Sequence, residues 1–152
     1  MTDQDAIGHR PATQDELPGF FELMVNQTAH YLKDALKTLD ITVEQFEIYF
    51  RSVGQVWAVE IAGQVAGFYW IELRAEVLHI HALILRPEFQ GQGIGTSILR
   101  LIEQCRPDGV THLEVGVHNS NTRAQALCGK CGFALIRKRP EVGFAIYSKR
   151  WL

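Results

Sequence analysis

His79-Ile80-His81 places two imidazoles two residues apart in an apolar stretch. If that stretch is a strand, side chains i and i+2 share a face, and the rings lie side by side. An imidazole with a pKa of about 6.5 accepts a proton at neutral pH, so the pair suits proton transfer. The plain alternative is two polar residues satisfied by neighbours, but burying both in an apolar strand is costly without a use. A metal site would need a further ligand. His112, Glu114 and His118 lie on a later segment, but no second half-motif accompanies them, and no metal is expected. A second constellation is Gln90-Gly91-Gln92-Gly93-Ile94-Gly95, followed by Thr96. Glycines permit positive φ and close approach of backbone N–H groups. At the start of a helix they form an anion site of the kind that holds a pyrophosphate. An ordinary glycine-rich turn is the competing reading on spacing alone. The loop lacks the Gly-Lys-Ser/Thr of a Walker sequence, and no opening βαβ unit makes it a dinucleotide fingerprint. Cys128 and Cys131 form a Cys-x-x-Cys without a second pair, which is neither a zinc nor a thioredoxin pattern.

These residues must be held by an ordered domain. The chain has 152 residues, 47% hydrophobic and 21% charged, with a net charge of −2. One domain over 1–152 fits that length. The apolar fraction excludes a disordered chain, and the charge balance argues against nucleic acid as a partner. No apolar run reaches the ~20 residues of a membrane span. The acidic opening, Met1-Thr2-Asp3-Gln4-Asp5, is no signal peptide, and three cysteines are too few for a disulfide scaffold. The expected location is the cytoplasm.

The spacing predicts a strand over 7–11. A helix follows over 14–26 from a Thr13/Glu16 capping box, then another over 28–39 and a short one over 42–52 capped by Thr42. Strands are predicted over 56–61, 65–73 and 76–85, the first two as a hairpin around Gly63 and the third buried on both faces. A helix over 96–105, a strand over 110–117, a helix over 121–130 ended by Gly132 and a hairpin of 133–139 with 144–149 complete the chain. Apart from the short helix, the order is β-α-α-β-β-β-α-β-α-β-β. The fold class is α/β (α+β): a mixed, mostly antiparallel sheet of six to seven strands flanked by helices, and not a doubly wound nucleotide fold.

The run from Leu83 to Gly95, LILRPEFQGQGIG, resembles the acetyl-CoA signature of the Gcn5-related N-acetyltransferases, Gln/Arg-x-x-Gly-x-Gly/Ala. Asn121-x-x-Ala124-x-x-Leu127-x-x-Lys130-x-Gly132-Phe133 is similar to that family's second signature. Both occur in order on the right elements, and the element order fits over nearly the whole chain. The resemblance implies an acetyl-CoA-dependent N-acetyltransferase that works by direct attack of an amine in a ternary complex. It implies that the backbone of Leu83 and Leu85 pairs with the pantetheine arm where two strands splay. The amides of Gln90, Gly91, Gln92, Gly93, Ile94 and Gly95, with Thr96, would hold the pyrophosphate. Asn121 would bind near the thioester as well as capping its helix, and Lys130 belongs to the same motif.

Transfer to an amine requires a base and an acid. An ammonium of pKa about 10.4 must lose a proton, at about 4.6 kcal/mol at pH 7. His79 and His81 resemble the histidine pair of the arylalkylamine N-acetyltransferases, which implies a proton relay. Glu114 is a second base candidate, displaced one pleat from the expected position at Gly116, and reads as an ordinary strand carboxylate. The family's usual acid is a tyrosine, where this chain has Cys128. That departure keeps open an alternative: a catalytically weak CoA-binding sensor or regulatory module. Tyr31, Trp57, Tyr69 and Trp70 are candidates to line the acceptor pocket, by cation–π contact or simply as core. Glu22, Asp34 and Glu72 are candidate carboxylates. A small-molecule amine is expected rather than a protein N-terminus, with the chain a monomer or homodimer.

Overall fold

A computed structural model describes residues 7–151; the acidic opening residues 1–5 lie outside them. The elements are β1 (Ile7–Pro11), α1 (Leu17–Gln27), α2 (Ala29–Thr38), α3 (Val43–Ser52), β2 (Gln55–Ile61), β3 (Gln64–Arg74), β4 (Val77–Leu85), α4 (Ile94–Gln104), β5 (His112–His118), α5 (Thr122–Lys130), β6 (Ala134–Arg139) and β7 (Phe144–Arg150). Thr42 caps α3 as expected: its hydroxyl accepts the Gln45 N–H at 3.0 Å, and the Gln45 side chain accepts the Thr42 N–H at 2.8 Å. The Thr13/Glu16 box is also present, but it caps a 3-10 turn over Gln14–Glu16. Pro18 in the first turn of α1 has no N–H to give, so the α-helix starts at Leu17 and not at 14. α4 starts two residues earlier than predicted, because Gly93 turns the chain with φ +77° directly into the helix. β5 starts two residues late because Val110 is drawn into a turn, its N–H donating to the Pro107 carbonyl at 3.2 Å.

The strands form one seven-stranded sheet in the order β1-β2-β3-β4-β5-β7-β6. All pairings are antiparallel except β4 with β5. That pair holds only from Val77–His112 to Ile80–Val115. Beyond Ile80, β4 continues to Leu85 and β5 to His118 without pairing, so the sheet opens between them.

Two apolar clusters cover the two faces. α4 and α5 pack Ile98, Leu99, Ile102 and Cys128 onto Leu78, Ile80, Leu113 and Val117. α1 and α3 pack Phe20, Phe21, Met24 and Phe50 onto Val56, Ala58, Phe68 and Trp70. A fully buried side chain of this size contributes about 1.5–3 kcal/mol, so both faces are firmly held. β4 changes face midway. Ile71 pairs with Ile80 and Trp70 with Ala82, which leaves His81 as the extra residue of a β-bulge. Leu78 and Ile80 belong to the α4/α5 cluster, whereas Ala82 and Ile84 pack on the α1/α3 cluster.

Candidate functional site

The opening between β4 and β5 is a cleft with two connected chambers. The outer chamber, about 580 Å³, is lined by Gln90, Gly91, Gly93, Ile94, Gly95 and Thr96 on one side and by the start of α5 on the other. The inner chamber, about 190 Å³, reaches His81 and Cys128. Thr28, Tyr31, Leu83, Ile84, Asn121 and Leu127 line both.

The outer chamber is built to take an anion. Gly91 and Gly93 have φ of +76° and +77°, a conformation other residues adopt only at a cost of about 1–2 kcal/mol. Helix geometry leaves the amides of Ile94, Gly95 and Thr96 without an intrahelical acceptor, and all three residues face the chamber. A Cβ on Gly95 would lie 3.2 Å from Leu127 Cδ2, so glycine lets α4 and α5 converge here. Asn121 Oδ1 accepts the Ala124 N–H at 3.0 Å, capping α5 as the spacing suggested. Gln90 Nε2 donates to the Leu85 carbonyl at 2.9 Å, and Gln27 Nε2 donates to the same oxygen at 2.6 Å. Leu85 lines the outer chamber and Leu83 lines both.

The inner chamber joins that end to the histidine pair. His81 and His79 lie on one side of the sheet, ring centroids 4.6 Å apart at 76°. Each has its own carboxylate. His81 Nε2 is 2.8 Å from Glu72 Oε1, and His79 Nδ1 is 2.7 Å from Glu114 Oε1. A carboxylate only accepts, so these contacts fix the protons on His81 Nε2 and His79 Nδ1. The basic lone pairs are then His81 Nδ1 and His79 Nε2. Burial pushes the His81 pKa down to about 4, against the pull of Glu72; His79 is lowered for the same reason, against Glu114. Both rings are neutral at pH 7. Trp70, 1% exposed, stacks under His81 at 4.3 Å and donates its indole N–H to the Val53 carbonyl at 2.8 Å. Cys128 is buried, and burial together with Cys131 pushes its thiol up to about 11.

Several expected residues stand elsewhere. Trp57 and Tyr69 line neither chamber. They pair across β2 and β3 and stack, ring centroids 6.1 Å apart, on the α4/α5 face, where Tyr69 OH lies 2.6 Å from His9 Nδ1. Trp70 does not line the chambers either; it supports His81 from behind. Lys130 ends α5, nine residues after Asn121 and so about 14 Å along the axis. It borders a separate depression with Arg100, Glu103 and Lys149. Gln92 turns back to donate to the Glu88 carbonyl at 3.0 Å. Glu114 serves His79 and does not reach the cleft, while Gly116 does. Glu72 serves His81 and Arg74. No group of three or more His, Cys, Asp or Glu placed to hold a metal ion occurs among the described residues. No helix there is long and apolar enough to cross a membrane.

Arg123 escaped the sequence reading. It lines the outer chamber and donates to Gln90 Oε1 at 2.8 Å, across from the glycine loop. A cation in the first turn of a helix opposes the macrodipole, and that misfit was the available signal. His30 and Ser120 also line this chamber; their contact at 3.2 Å joins α2 to the segment before α5, and Tyr31 stacks on His118 at 3.9 Å beside it.

Residues 19–133 match the sequence profile of the Acetyltransferase (GNAT) family. The chain is 30% identical over 104 residues to a mycothiol acetyltransferase of Salinispora tropica, covering 62% of this chain and 33% of that protein. It is 27% identical over 123 residues to a putative ribosomal protein bS18-alanine N-acetyltransferase of Bacillus subtilis, covering 80% and 64%. The chain thus spans only about a third of the mycothiol enzyme's length. Among solved structures, a GNAT family acetyltransferase from Elizabethkingia anophelis with acetyl-CoA bound superimposes with a TM-score of 0.72 at 19% identity, over 97% of this chain and 99% of that one.

Proposed function

The chain belongs to the acetyltransferase (GNAT) family, and from that premise we propose that it is an acetyl-CoA-dependent N-acetyltransferase acting on a primary amine by direct attack in a ternary complex. The observation that carries this reading is the single cleft between β4 and β5, which runs from a helix N-terminus with glycine-exposed amides to a neutral histidine. Acetyl-CoA, when bound, supplies the activated acetyl thioester. The amides of Gly91 and Gly93 to Thr96, with Arg123, would hold its phosphates, and Leu83, Leu85 and Asn121 would border its arm. The Elizabethkingia structure, which shares the fold, holds acetyl-CoA.

His81 receives the amine proton as the new N–C bond forms and the C–S bond breaks. Glu72 steadies the imidazolium formed, and the neutral His79, held by Glu114, packs edge-on against the ring. A group with a pKa of about 4 is too weak to strip a free ammonium of pKa about 10.4, a gap of roughly 9 kcal/mol. It is suited to a nitrogen already committed to bonding. Cys128 holds its own proton against a thiolate of ordinary pKa about 8.5 by roughly 3 kcal/mol. It therefore serves as an S–H hydrogen-bond donor, and the sulfur leaves as the CoA thiolate, which equilibrates with bulk solvent at its own pKa after release. This weak acid is also the observation that favours the second reading, a CoA-binding sensor with little turnover.

Thermal unfolding with acetyl-CoA and with CoA tests the binding. A ligand at ~100 times its Kd adds about 2.7 kcal/mol. Absence of a shift with both would overturn both readings. Mass detection of an N-acetylated amine then separates enzyme from sensor.

A further inference from the structure

We infer that the acceptor is a small primary amine with an apolar body, which enters the inner chamber uncharged and carries no carboxylate. This deepens the proposed activity and rests on it.

The lining of the inner chamber contains no Asp, Glu, Lys or Arg. Its acceptor side is Met24, Leu32, Phe46, Tyr31 and Phe144, with His81 at the reacting end. The charged groups nearby are committed elsewhere. Glu72 takes hydrogen bonds from His81 and Arg74, Glu114 from His79, and Arg123 donates to Gln90 in the outer chamber. An ammonium in this chamber would have no counter-charge, and neither would an amino-acid carboxylate; burying an unpaired ion is heavily penalised. Two of the neutral polar groups are engaged as well. Thr28 Oγ1 donates to the Met24 carbonyl at 2.8 Å, and His118 Nδ1 contacts Ser120 Oγ at 2.7 Å. The rings of Tyr31 and Phe144 meet edge-on at 5.6 Å and 81°, a corner that suits another ring or a branched alkyl group. A chamber of about 190 Å³ holds a group of that size and little more. The weakness of His81 as a base agrees with an amine that has left its proton in water.

The test compares 2-phenylethylamine, L-phenylalanine and an alanine-initiated tetrapeptide as acceptors, with acetyl-CoA and the full chain. Product is read by mass, because Cys105 is exposed and would react with thiol reagents. The expected kcat/KM for 2-phenylethylamine exceeds both others by about 100-fold or more. Equal or reversed preference overturns the inference. Calorimetry of the products, on the CoA-saturated chain, gives a readout without turnover: N-acetyl-2-phenylethylamine binds, N-acetyl-L-phenylalanine does not. Binding of the second alone overturns the inference. Leu32→Arg supplies the missing cation and is expected to narrow the amine-to-amino-acid gap by about tenfold or more; an unchanged gap counts against the inference. If acetyl-CoA raises Tm but no panel member is acetylated and neither product binds, the acceptor assignment fails alone. If acetyl-CoA gives no rise, the proposed activity fails with it.

Discussion

At the α4 end of the cleft the groups facing a ligand are backbone amides, Asn121 and Arg123; at the β4 end they are hydrocarbon, aromatic rings and the imidazoles of His81 and His118. Both chambers come from one structural event, the parting of β4 and β5 after Ile80. Sheet geometry therefore makes the space, and the flanking residues decide its chemistry. The outer end gains positive character from a helix terminus without a cluster of lysines, which is how a chain of net charge −2 accommodates an anion. The inner end is kept free of charge, and its histidines are kept neutral by that same dryness.

The comparison breaks most readily at Gly93. Gly93→Val puts a β-branched residue at φ +77° against the anion position. Acetyl-CoA affinity is expected to fall by about 100-fold or more, by calorimetry, since strain and lost contacts add. Near-normal affinity would remove the loop from the site. His81→Ala is aimed at the other end. It is expected to lower kcat by about 100- to 1,000-fold and to leave the acetyl-CoA Kd within about twofold; equal loss of both would show that the two ends are not separable.

A third experiment follows pH. The folded pKa of His81 lies near 4, below the unfolded value of about 6.5, so the unfolded chain binds the proton first as pH drops. Stability is full above pH 6.5 and is lost as pH falls towards 4, by on the order of 2 kcal/mol. His81→Gln is expected to lessen that acid slope in urea titrations at pH 7 and 4.5. An unchanged slope would place the acid sensitivity elsewhere. The smallest effect is expected from Tyr69→Phe. Tyr69 stands on the α4/α5 face with His9 and Trp57, so kcat/KM should stay within about twofold; a large loss would mean that the acceptor reaches this face.

The glycine loop was legible because glycine at a strand-to-helix turn has few other reasons to recur. The histidine pair was legible because period two applies locally. For Trp57 and Tyr69 the sequence leaves pocket and core both open, because facing depends on registers that bulges reset, one between Val59 and Glu60 and another between Trp70 and Ile71. No local pattern marks a bulge. Glu72 as partner of His81 was hidden for the same reason, since their contact depends on a strand pairing. Lys130 shows a different limit: a residue shared with a motif still lies where helix rise puts it.

The bulge in β4 has a further consequence, for insertions and deletions. Remove residue 81 on paper, and Leu78, Ile80, Ala82, Leu83, Ile84 and Leu85 fall into regular alternation, each still facing the cluster it packs against. The architecture would close without this residue. His81 is a supernumerary link: its backbone adds nothing to the alternation of β4, and what fixes its ring is the stack on Trp70 and the bond to Glu72.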